Sequence, residues 1–429
     1  MAGFTLTAYR AISPLFPGLV RILSPLIPKL KTFRLLRRDL FSELDRKLCA
    51  LQKPACRLWI HASSVGEFEQ ARPIIAELMR HRQNIDIVVS FLSDSGYQAR
   101  KDFKDASAVF YLPLDTPDYA RKLVSLLKPD IVMLMRYDFW PNHLMAAKKS
   151  GAKLLLSAAT LPPGSSYFKP VFKAFYRDVF ALFDTIFTID EVDRQQFQNE
   201  FGCRNVVQAG DPRFDQVLER QLKSDNRAAR LEPLFRDRMV LVGGSTWEPD
   251  EEKLIPAWLP LQEKLSLVLV PHKVDRQNID RIMADLSRRH IEAITLSSLD
   301  ESFESKTTVL VVDQIGFLAE LYAIASIAYV GGAFGVNVHN TLEPAVHGIP
   351  VLFGPKFGNS PEAGDLIETG AATVVHSEDE LHEAIARFTE DPKHCKKIGQ
   401  KASDFVHSRL GATTIISDAI QRLCQHPAR

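Results

Sequence analysis

The feature that most constrains this sequence is a double series of short apolar runs, separated by segments of helical length. Seven runs precede residue 210, and seven more begin at residue 239. Strands that alternate with helix-length segments predict βαβ units and parallel sheets. The pattern therefore predicts an α/β protein with two Rossmann-like domains facing a central cleft. The runs are residues 58–61, 85–92, 108–112, 131–134, 153–157, 185–189 and 206–209, and then 239–243, 265–271, 293–296, 308–312, 328–331, 351–354 and 372–375.

A charged stretch at residues 217–238 separates the two series, and we interpret it as a connection or a helix. The predicted N-terminal domain spans residues 39–216, and the predicted C-terminal domain spans residues 239–429. In open α/β sheets, ligands bind beyond the carboxyl ends of the strands. Functional residues are therefore expected directly after the apolar runs.

Residues 1–38 differ in charge from the rest of the chain. They contain seven Lys and Arg residues and no acidic residue, which leaves the remainder at −6 within a total of +1. The near-zero total argues against a general nucleic-acid binder. Arg21 and four prolines interrupt the apolar residues here, which disfavours a spanning helix. Two interpretations remain: a segment that binds an anionic membrane surface, or a helical arm packed on the protein's own core.

The cysteine and histidine patterns predict no metal centre. The five cysteines are scattered and form no Cys-x-x-Cys pair, which suits a reducing cytoplasm. The sequence also contains no His-Glu-x-x-His motif, no Gly-x-x-x-x-Gly-Lys loop and no Asp-x-Asp motif. We therefore expect neither a metal site nor a P-loop.

The first predicted strand runs into His61-Ala-Ser-Ser-Val-Gly-Glu67, whose small residues are typical of a tight turn that opens a helix. Glu67 would lie in the first helical turn, where the helix dipole favours an ionised carboxylate. Such a carboxylate can act as a general base on an attacking hydroxyl, or it can be an ordinary capping group. The local sequence alone favours the capping interpretation.

In the second series, the run at 328–331 is followed by a Gly-rich loop and a helix that we expect to begin near Asn340. The glycines would let the backbone approach a ligand, and free N–H groups at the helix start would attract a phosphate. Glu343 would then be placed for a ribose hydroxyl. A second turn of small residues lies at 243–246. Purely structural turns are the alternative for such loops. The glycines are Gly331, Gly332 and Gly335.

Together these segments resemble the 3-deoxy-manno-octulosonic acid (Kdo) transferases, glycosyltransferases that add Kdo to lipid A precursors. The resemblance runs in order along nearly the whole chain. It implies the GT-B architecture, with an acceptor-binding N-terminal domain, a CMP-Kdo-binding C-terminal domain and a last helix that packs back on the N-terminal domain. The matching segments are residues 1–38, 61–67, 93–97, 111–115, 137–142, 209–215, 243–247, 339–344 and 353–355.

The resemblance also implies roles for single residues. Glu67 falls on the family's general base, which reverses the local preference for capping, and Asp138 would be a second catalytic carboxylate. The acceptor hydroxyl would attack the anomeric carbon and invert it as CMP departs. A base is needed because an alcohol is hardly ionised at neutral pH. The implied acceptor-binding residues are Ser64, Gly66, Ser95, Gly96, Arg136 and Trp140. The implied donor-binding residues are Ser245, Thr246, His272, Lys273, Gly331, Gly332, Gly335, Asn337, His339, Asn340 and Glu343.

Three segments depart from the commoner family pattern. Arg136-Tyr-Asp138 replaces the usual Glu-Thr-Glu, so a carboxylate is kept while Arg136 reverses a charge and could hold an anionic sugar or phosphate. His272-Lys273 replaces the usual Arg-His, and one of the two could take over from the lost arginine. Asn337-Val338 replaces a glycine pair, which should alter the loop geometry.

The implied partners are CMP-Kdo, a lipid A precursor and the anionic inner-membrane surface, without nucleic acid. The implied location is the cytoplasmic face of the bacterial inner membrane, with peripheral or monotopic attachment through residues 1–38. We expect no metal or other cofactor, because helix starts and basic residues would stabilise the departing CMP. The alternatives are another GT-B enzyme of envelope synthesis, namely a UDP-sugar transferase or epimerase, and a catalytically inactive membrane-surface scaffold.

Overall fold

The computed structural model describes residues 3–49, 56–80, 85–223, 228–235, 238–299 and 309–425. Contacts divide the chain into two compact units. The first unit comprises residues 1–216 and 410–429, and the second unit comprises residues 217–409. Within the described residues, each unit contains one sheet of seven strands.

A strand is present at each of the fourteen apolar runs, which confirms the prediction of an α/β protein with two Rossmann-like sheets. Residue 308, the first of one predicted run, lies outside the described residues. The first unit contains β1 (Cys56–Ala62), β2 (Ile85–Phe91), β3 (Ala108–Tyr111), β4 (Ile131–Met135), β5 (Lys153–Ala159), β6 (Thr185–Thr188) and β7 (Val206–Gln208). The second contains β8 (Met239–Thr246), β9 (Leu265–Pro271), β10 (Ala293–Thr295), β11 (Val309–Val311), β12 (Ile327–Val330), β13 (Val351–Phe353) and β14 (Ala372–Val374).

Both sheets are parallel and share one topology on their central strands. The first sheet has the order β3-β2-β1-β4-β5-β6-β7, and the second has the order β10-β11-β9-β8-β12-β13-β14. The direction of winding reverses between β1 and β4 in the first sheet and between β8 and β12 in the second. Ligands of such sheets bind at this switch point, beyond the carboxyl ends of the strands.

The strands of the first unit bury side chains on both faces of the sheet. Successive side chains on a strand point to opposite faces. Trp59 and Val132 therefore pack in one buried cluster, whereas Ile60 and Met133 pack in another. A sheet covered on both faces needs apolar residues at nearly every position, which explains why its strands read as continuous apolar runs.

Helices connect the strands, and several begin at a side-chain cap. Ser93, Thr116 and Asp190 each accept an N–H from the first turn of the helix that follows. In chain order before residue 224 the helices are α1 (Phe4–Ile12), α2 (Phe16–Leu23), α3 (Pro28–Leu36), α4 (Leu40–Cys49), α5 (Val65–Arg80), α6 (Asp94–Arg100), α7 (Pro117–Leu127), α8 (Pro141–Lys149), α9 (Pro170–Phe180), α10 (Glu191–Phe201) and α11 (Pro212–Lys223). They continue with α12 (Glu248–Trp258), α13 (Arg276–Arg288), α14 (Leu318–Leu321), α15 (Leu342–Val346), α16 (Pro361–Glu368), α17 (Glu378–Glu390), α18 (Pro392–His407) and α19 (Ala412–Gln425).

The predicted connection at 217–238 is largely helical where the structure describes it. Helix α11 continues to Lys223, and residues Ala228–Phe235 form a 3-10 segment. Residues 224–227 and 236–237 of this prediction lie outside the described residues. Charged residues alternate with apolar ones in α11, which is why composition alone could not distinguish a helix from a linker.

The last helix, α19, belongs to the first unit. Ile416 and Ile420 are fully buried in the same cluster as Ile60, and Cys424 forms a disulfide with Cys56 at the start of β1. The two cysteines lie 368 residues apart, so their spacing in the sequence carried no sign of the pair.

The N-terminal segment forms α1, α2 and α3, and several of its side chains are anchored in the first unit. Leu6 is fully buried, Tyr9 donates from its hydroxyl to Asp115 at 2.9 Å, and Arg37 donates to the main-chain oxygen of Leu112 at 2.7 Å. The interpretation as an arm packed on the core is therefore correct for these residues. Large apolar side chains nevertheless remain exposed on the same segment, among them Phe4, Ile12, Leu15, Leu19, Ile22 and Leu26.

The described part of the chain was compared with membrane spans by helix length and by hydropathy. No single helix there is long and apolar enough to cross a membrane. The stretches Phe4–Leu23 and Pro28–Cys49 pass the same criteria only as a pair, bent by 117° at the break between them.

Candidate active site

The predicted catalytic carboxylates of the first unit follow its two central strands. His61 in β1 is the register partner of Leu134 in β4, so both strands end at the same edge of the sheet. Glu67 lies in the first turn of the helix after β1, and Asp138 lies in the loop after β4. Both residues therefore lie at the switch point, where an open sheet binds its ligands.

Glu67 accepts hydrogen bonds from the turn that precedes its helix. One carboxylate oxygen accepts the main-chain N–H of Ser63 at 2.6 Å, and the other accepts the Ser63 hydroxyl at 3.1 Å. The main-chain N–H of Glu67 lies 3.4 Å from the hydroxyl oxygen of Ser64, which precedes the helix. This reciprocal arrangement resembles a capping box. The capping interpretation thus describes real contacts, which also hold the carboxylate in a defined place.

The surroundings of Glu67 raise the pKa of its carboxyl group. The largest cause is burial, which penalises the charged form, and the negative charge of Asp138 acts in the same direction. The hydrogen bonds from Ser63 and the presence of His61 oppose this rise. The net effect is a carboxylate with increased proton affinity, which is the property of a useful general base.

Asp138 is held by a buried histidine. Its carboxylate lies 2.9 Å from Nε2 of His61, whose side chain is 2% exposed, whereas that of Asp138 is 20% exposed. Nδ1 of His61 lies 2.9 Å from the hydroxyl of Ser90 in β2. Asp138, whose side chain is shorter than the family's usual glutamate, thus has His61 as a defined hydrogen-bond partner.

Arg136 directly follows β4 and is engaged in an ionic cluster. Its φ of 59° lies in the left-handed region that non-glycine residues rarely adopt. Its guanidinium donates to the side-chain oxygen of Gln70 at 2.9 Å and to the buried Asp211 at 3.3 Å. Arg213 also donates to Asp211, at 2.8 Å. Arg136 and Arg213 thus share the carboxylate of Asp211, and the anion-binding role of Arg136 stays a prediction.

The other predicted acceptor-binding residues have differing environments. Gly66 and Ser95 are exposed, whereas Gly96 is buried. A Cβ on Gly96 would lie 2.6 Å from the Phe91 ring, so close helix–strand packing requires glycine there. Trp140 lies half-buried beside His61, and its indole N–H has no partner among the described residues. Gly96 is therefore a packing residue in this structure, while Gly66, Ser95 and Trp140 retain accessible surface.

In the second unit, buried Asp250 organises the Gly-rich loop. It accepts the main-chain N–H of Gly332 and the hydroxyl of Tyr329, both at 2.8 Å. Gly332 has a φ of 96°, and a Cβ on Gly331 would lie 2.5 Å from the carbonyl oxygen of Ser245. Both glycines are thus required by the backbone itself. The third, Gly335, closes a turn by donating its N–H to the Gly332 carbonyl at 3.1 Å.

Three aromatic rings contact one another: Trp247 and His272 directly follow β8 and β9, and His339 lies in the loop after β12. The Trp247 and His272 rings stack with centroids 4.6 Å apart, and the His272 and His339 rings stack at 4.5 Å. The Trp247 indole donates to Nε2 of His339 at 3.0 Å, so neutral His339 carries its proton on Nδ1. Burial lowers the pKa of both histidines; Lys273 adds to this for His272, and His272 adds to it for His339.

This ring cluster distinguishes between the two residues that stand where the family usually has Arg-His. His272 is part of the stack, and its lowered pKa favours the neutral ring. Lys273 keeps a cation in this region, with Nζ 5.3 Å from the centre of the Trp247 ring. Of the pair, Lys273 is therefore the better replacement for a cationic arginine.

The hydroxyl-bearing turn after β8 is tightly built. Ser245 has a φ of 55° at a register irregularity between β8 and β9. The hydroxyl of Thr246 is buried and donates to Glu251 at 3.0 Å. Asn337, by contrast, is exposed at the surface of the Gly-rich loop.

The helix after the Gly-rich loop begins two residues later than predicted. Helix α15 starts at Leu342 with Thr341 as its N-cap, and the side-chain oxygen of Asn340 accepts the Leu342 N–H at 3.0 Å in the turn that precedes the helix. Glu343 is paired with Arg220 at 2.7 Å. A ribose contact by Glu343 would therefore have to share the carboxylate with Arg220.

Comparison with known proteins shows what the chain is similar to. Residues 37–216 match the family model described as 3-deoxy-D-manno-octulosonic-acid transferase. A 3-deoxy-D-manno-octulosonic acid transferase of Aquifex aeolicus is 29% identical over 340 residues, covering 78% of this chain and 85% of the relative. One from Chlamydophila psittaci is 26% identical over 355 residues, covering 81% of each chain. The chain is thus similar to Kdo transferases over about four fifths of its length.

By this similarity the chain is a glycosyltransferase. Solved structures with low sequence identity share its fold. UDP-GlcNAc 2-epimerase from Neisseria meningitidis superposes with a TM-score of 0.59 at 16% identity, over 85% of this chain and 100% of that one. A glycosyltransferase from Rickettsia africae gives a TM-score of 0.54 at 11% identity, over 86% and 98%.

Several residues that support the site were not among the sequence-based site residues. His61 and Ser90 support Asp138, and Asp250 supports the Gly-rich loop. His61 stands at the end of an apolar run, and Asp250 stands three residues after Trp247 at a helix start. The sequence around each of them therefore indicated a functional position only weakly. Ser90 lies inside a strand, where nothing in its neighbours distinguishes it. Among the described residues, no cluster of three His, Cys, Asp or Glu side chains has a metal-binding arrangement.

Proposed function

We propose that this protein is a Kdo transferase that moves Kdo from CMP-Kdo to a hydroxyl of a lipid A precursor, with inversion at the anomeric carbon. The observation that carries the proposal is Glu67, a partly buried carboxylate with raised pKa at the switch point beside Asp138. An alcohol needs such a base, because it is almost un-ionised at neutral pH.

In the proposed reaction, Glu67 takes the proton of the acceptor hydroxyl while the oxygen attacks the anomeric carbon of Kdo. The bond from that carbon to the CMP phosphate breaks, and its electron pair leaves with CMP. Lys273 of the second unit would stabilise the anionic leaving group, since the N–H groups of Gly331, Gly332 and Gly335 already donate within that unit. Attack opposite the departing oxygen inverts the centre.

We further propose that the transfer needs no divalent metal, because the cation of Lys273 can stabilise the developing negative charge. Turnover should then persist when EDTA is present in excess over the protein. Loss of activity with EDTA and recovery with Mg²⁺ would contradict this part of the proposal.

We also propose that the enzyme works at the cytoplasmic face of the bacterial inner membrane. The support is the N-terminal segment, which combines exposed apolar side chains with a charge of +7. A lipid acceptor resides in such a surface, and exposed basic residues would favour an anionic leaflet.

The deciding experiment combines purified protein, CMP-Kdo generated in situ and a tetra-acylated lipid A precursor. Product masses should increase by one or more Kdo units. The Glu67→Gln variant and the same mixture without CMP-Kdo serve as controls, and both should give no product above background. Transfer from a UDP-sugar instead of CMP-Kdo, or full turnover by Glu67→Gln, would overturn the proposal.

A further inference from the structure

Asp138 and three side chains beneath it form one continuous hydrogen-bonded chain, which we call the Trp59–Asp138 relay. The Trp59 indole lies 2.8 Å from the Ser90 hydroxyl, and that hydroxyl lies 2.9 Å from Nδ1 of His61. Nε2 of His61 then lies 2.9 Å from the Asp138 carboxylate. Trp59, Ser90 and His61 are all at most 2% exposed, so water does not compete for these contacts.

The strands themselves place the members of the relay. Trp59 and His61 are two residues apart on β1, so their side chains point to the same face of the sheet. Ser90 is the register partner of His61 on β2, directly beside it. Asp138 arrives from the loop after β4, on the other side of β1.

Donor and acceptor chemistry gives the relay a single direction. An indole N–H can only donate, so the Ser90 oxygen accepts from Trp59 and its own proton is free for His61. An ionised carboxylate can only accept, so Nε2 of His61 must carry the proton that points to Asp138. Neutral His61 protonated on Nε2 satisfies every member of the relay at once.

We propose that His61 is a positioning residue, which the relay locks so that its Nε2–H holds Asp138 beside the general base Glu67. The inference rests on the proposed function, because it assigns a task to Asp138 within that reaction. Only one oxygen of Asp138 is engaged among the described side chains, which leaves the other free for the acceptor. His61 and Asp138 are the titratable groups that act on Glu67, and the negative charge of Asp138 increases its proton affinity.

Losing the Nε2–H donor should release Asp138 toward solvent and weaken its effect on Glu67. His61→Leu should lower kcat by roughly ten- to a hundredfold, as expected for a lost hydrogen bond to a charged group. The acid limb of the pH–rate profile should shift, because the variant removes the pKa-lowering effect of His61 on Glu67 and also displaces the Asp138 charge that raises the pKa. KM for CMP-Kdo should change little, since the predicted donor-binding residues belong to the second unit.

His61→Gln tests the donor itself, because a glutamine N–H can replace Nε2–H. We expect it to recover part of kcat and to return the acid limb toward the wild-type position. Recovery would not be expected if His61 served only to fill space, since glutamine and leucine are of similar size.

Ser90→Ala tests the relay one step further from the active site, and the chain offers a matched control. Ser157 is equally buried on β5, but its hydroxyl has no hydrogen-bond partner in the described structure. Ser90→Ala should reduce kcat by about three- to tenfold, in line with one lost neutral hydrogen bond. Ser157→Ala should leave kcat and the acid limb unchanged.

A second readout needs no turnover. In long-range ¹⁵N–¹H spectra of histidine-labelled protein at neutral pH, the His61 signal, assigned by its loss in His61→Gln, should show the Nε2–H tautomer. The pattern should change in Ser90→Ala and persist in Ser157→Ala. An Nδ1–H tautomer, an unchanged acid limb in a folded His61→Leu variant, or equal effects of the two serine variants would overturn the inference. Absence of Kdo transfer by the wild-type protein would instead refute the proposed function.

Discussion

Glu67 has two tasks that the local sequence could not separate, because it is both a capping acceptor and the proposed base. Glutamine keeps an oxygen for the N–H of Ser63 but cannot take a proton from an alcohol. Glu67→Gln should therefore reduce kcat by about 10²- to 10⁴-fold, the usual contribution of general base catalysis. Its thermal unfolding midpoint should stay near that of the wild type. A large loss of thermal stability with preserved turnover would favour a purely structural role.

The raised pKa of Glu67 predicts the shape of the pH profile. The base must be ionised, so kcat/KM is lost as pH falls through the pKa of Glu67 in the folded protein. Burial and the charge of Asp138 raise that pKa, and the acid limb should lie above the ordinary glutamate value. Asp138→Asn removes the charge and should move the limb to lower pH. If the acid limb of the pH profile has the same position in Asp138→Asn as in the wild type, a group other than Asp138 controls that position.

At the same scale, the sequence could locate Glu67 but not its surroundings. The motif 61–67 indicated a turn and a carboxylate at a helix start, and both are present. The contact of His61 with Asp138 joins residues 77 positions apart and depends on β1 and β4 being neighbours. Local spacing contains no information about such a pair, whereas the order of strands in the sheet does.

Helix α19 is distant in sequence from the rest of the first unit, and we expect its buried side chains to stabilise that unit. Ile416 is fully buried, whereas its neighbour Ile415 is 39% exposed on the same helix. Ile416→Ala should lower the free energy of unfolding by about 2–5 kcal/mol, since it removes apolar contacts and leaves a cavity. Ile415→Ala is the matched control and should change it by about 0.5 kcal/mol or less. Denaturant titration of both variants measures the difference, and equal values would contradict the packing of α19.

In the second unit, the helical glycines Gly399 and Gly364 provide another test position with a matched control. A Cβ on Gly399 in α18 would lie 2.0 Å from the main-chain oxygen of Gly348, whereas a Cβ on Gly364 in α16 would meet no atom within 4 Å. Gly399→Ala should therefore destabilise the protein by about 1–3 kcal/mol through overpacking. Gly364→Ala should stabilise it by about 0.4–1 kcal/mol, because alanine loses less backbone entropy in a helix. Calorimetric melting of the two variants should show shifts of opposite sign.

Strands were easier to predict than their ends. Residues 265–271 were predicted and observed as β9, because an apolar run interrupted only by Ser266 and bounded by polar residues leaves little choice. Strand β8, however, continues to Thr246, three residues beyond its predicted end at residue 243. Strand pairing uses main-chain groups, so the small residues at 244–246 can extend the ladder across its irregularity. Side-chain composition cannot reveal such an extension.

For the whole molecule, the net charge of +1 describes no real surface, because it averages a segment at +7 with a remainder at −6. The structure refines this view, since the charged segment is anchored through buried Leu6 and the Tyr9–Asp115 hydrogen bond. Deleting residues 1–38 would therefore disturb the first unit as well as any membrane contact. Substitutions of exposed side chains are the cleaner test of membrane binding.

Leu15, Ile22 and Leu26 are at least 70% exposed, and the basic residues Arg10 and Arg21 are exposed on the same segment. Burying each such apolar side chain in a bilayer interface is worth about 1.5–3 kcal/mol at most. Replacing all three by serine should therefore weaken binding to anionic vesicles by at least about a hundredfold, measured by co-sedimentation. The control is Leu222→Ser, which removes a leucine that is 77% exposed on α11, outside this segment. It should bind as the wild type does.

The electrostatic part of the same binding should respond to salt and to lipid charge. Exposed charges are screened within about 8 Å at physiological ionic strength, so raising the salt concentration should weaken wild-type binding to anionic vesicles. Neutral vesicles should bind less protein at every salt concentration, because each basic residue near an anionic surface contributes about 1 kcal/mol. The triple serine variant should retain a weaker but still salt-sensitive attachment. Wild-type affinity in the triple variant would show that the exposed apolar side chains do not enter the membrane, and that packing on the first unit is the whole role of the segment.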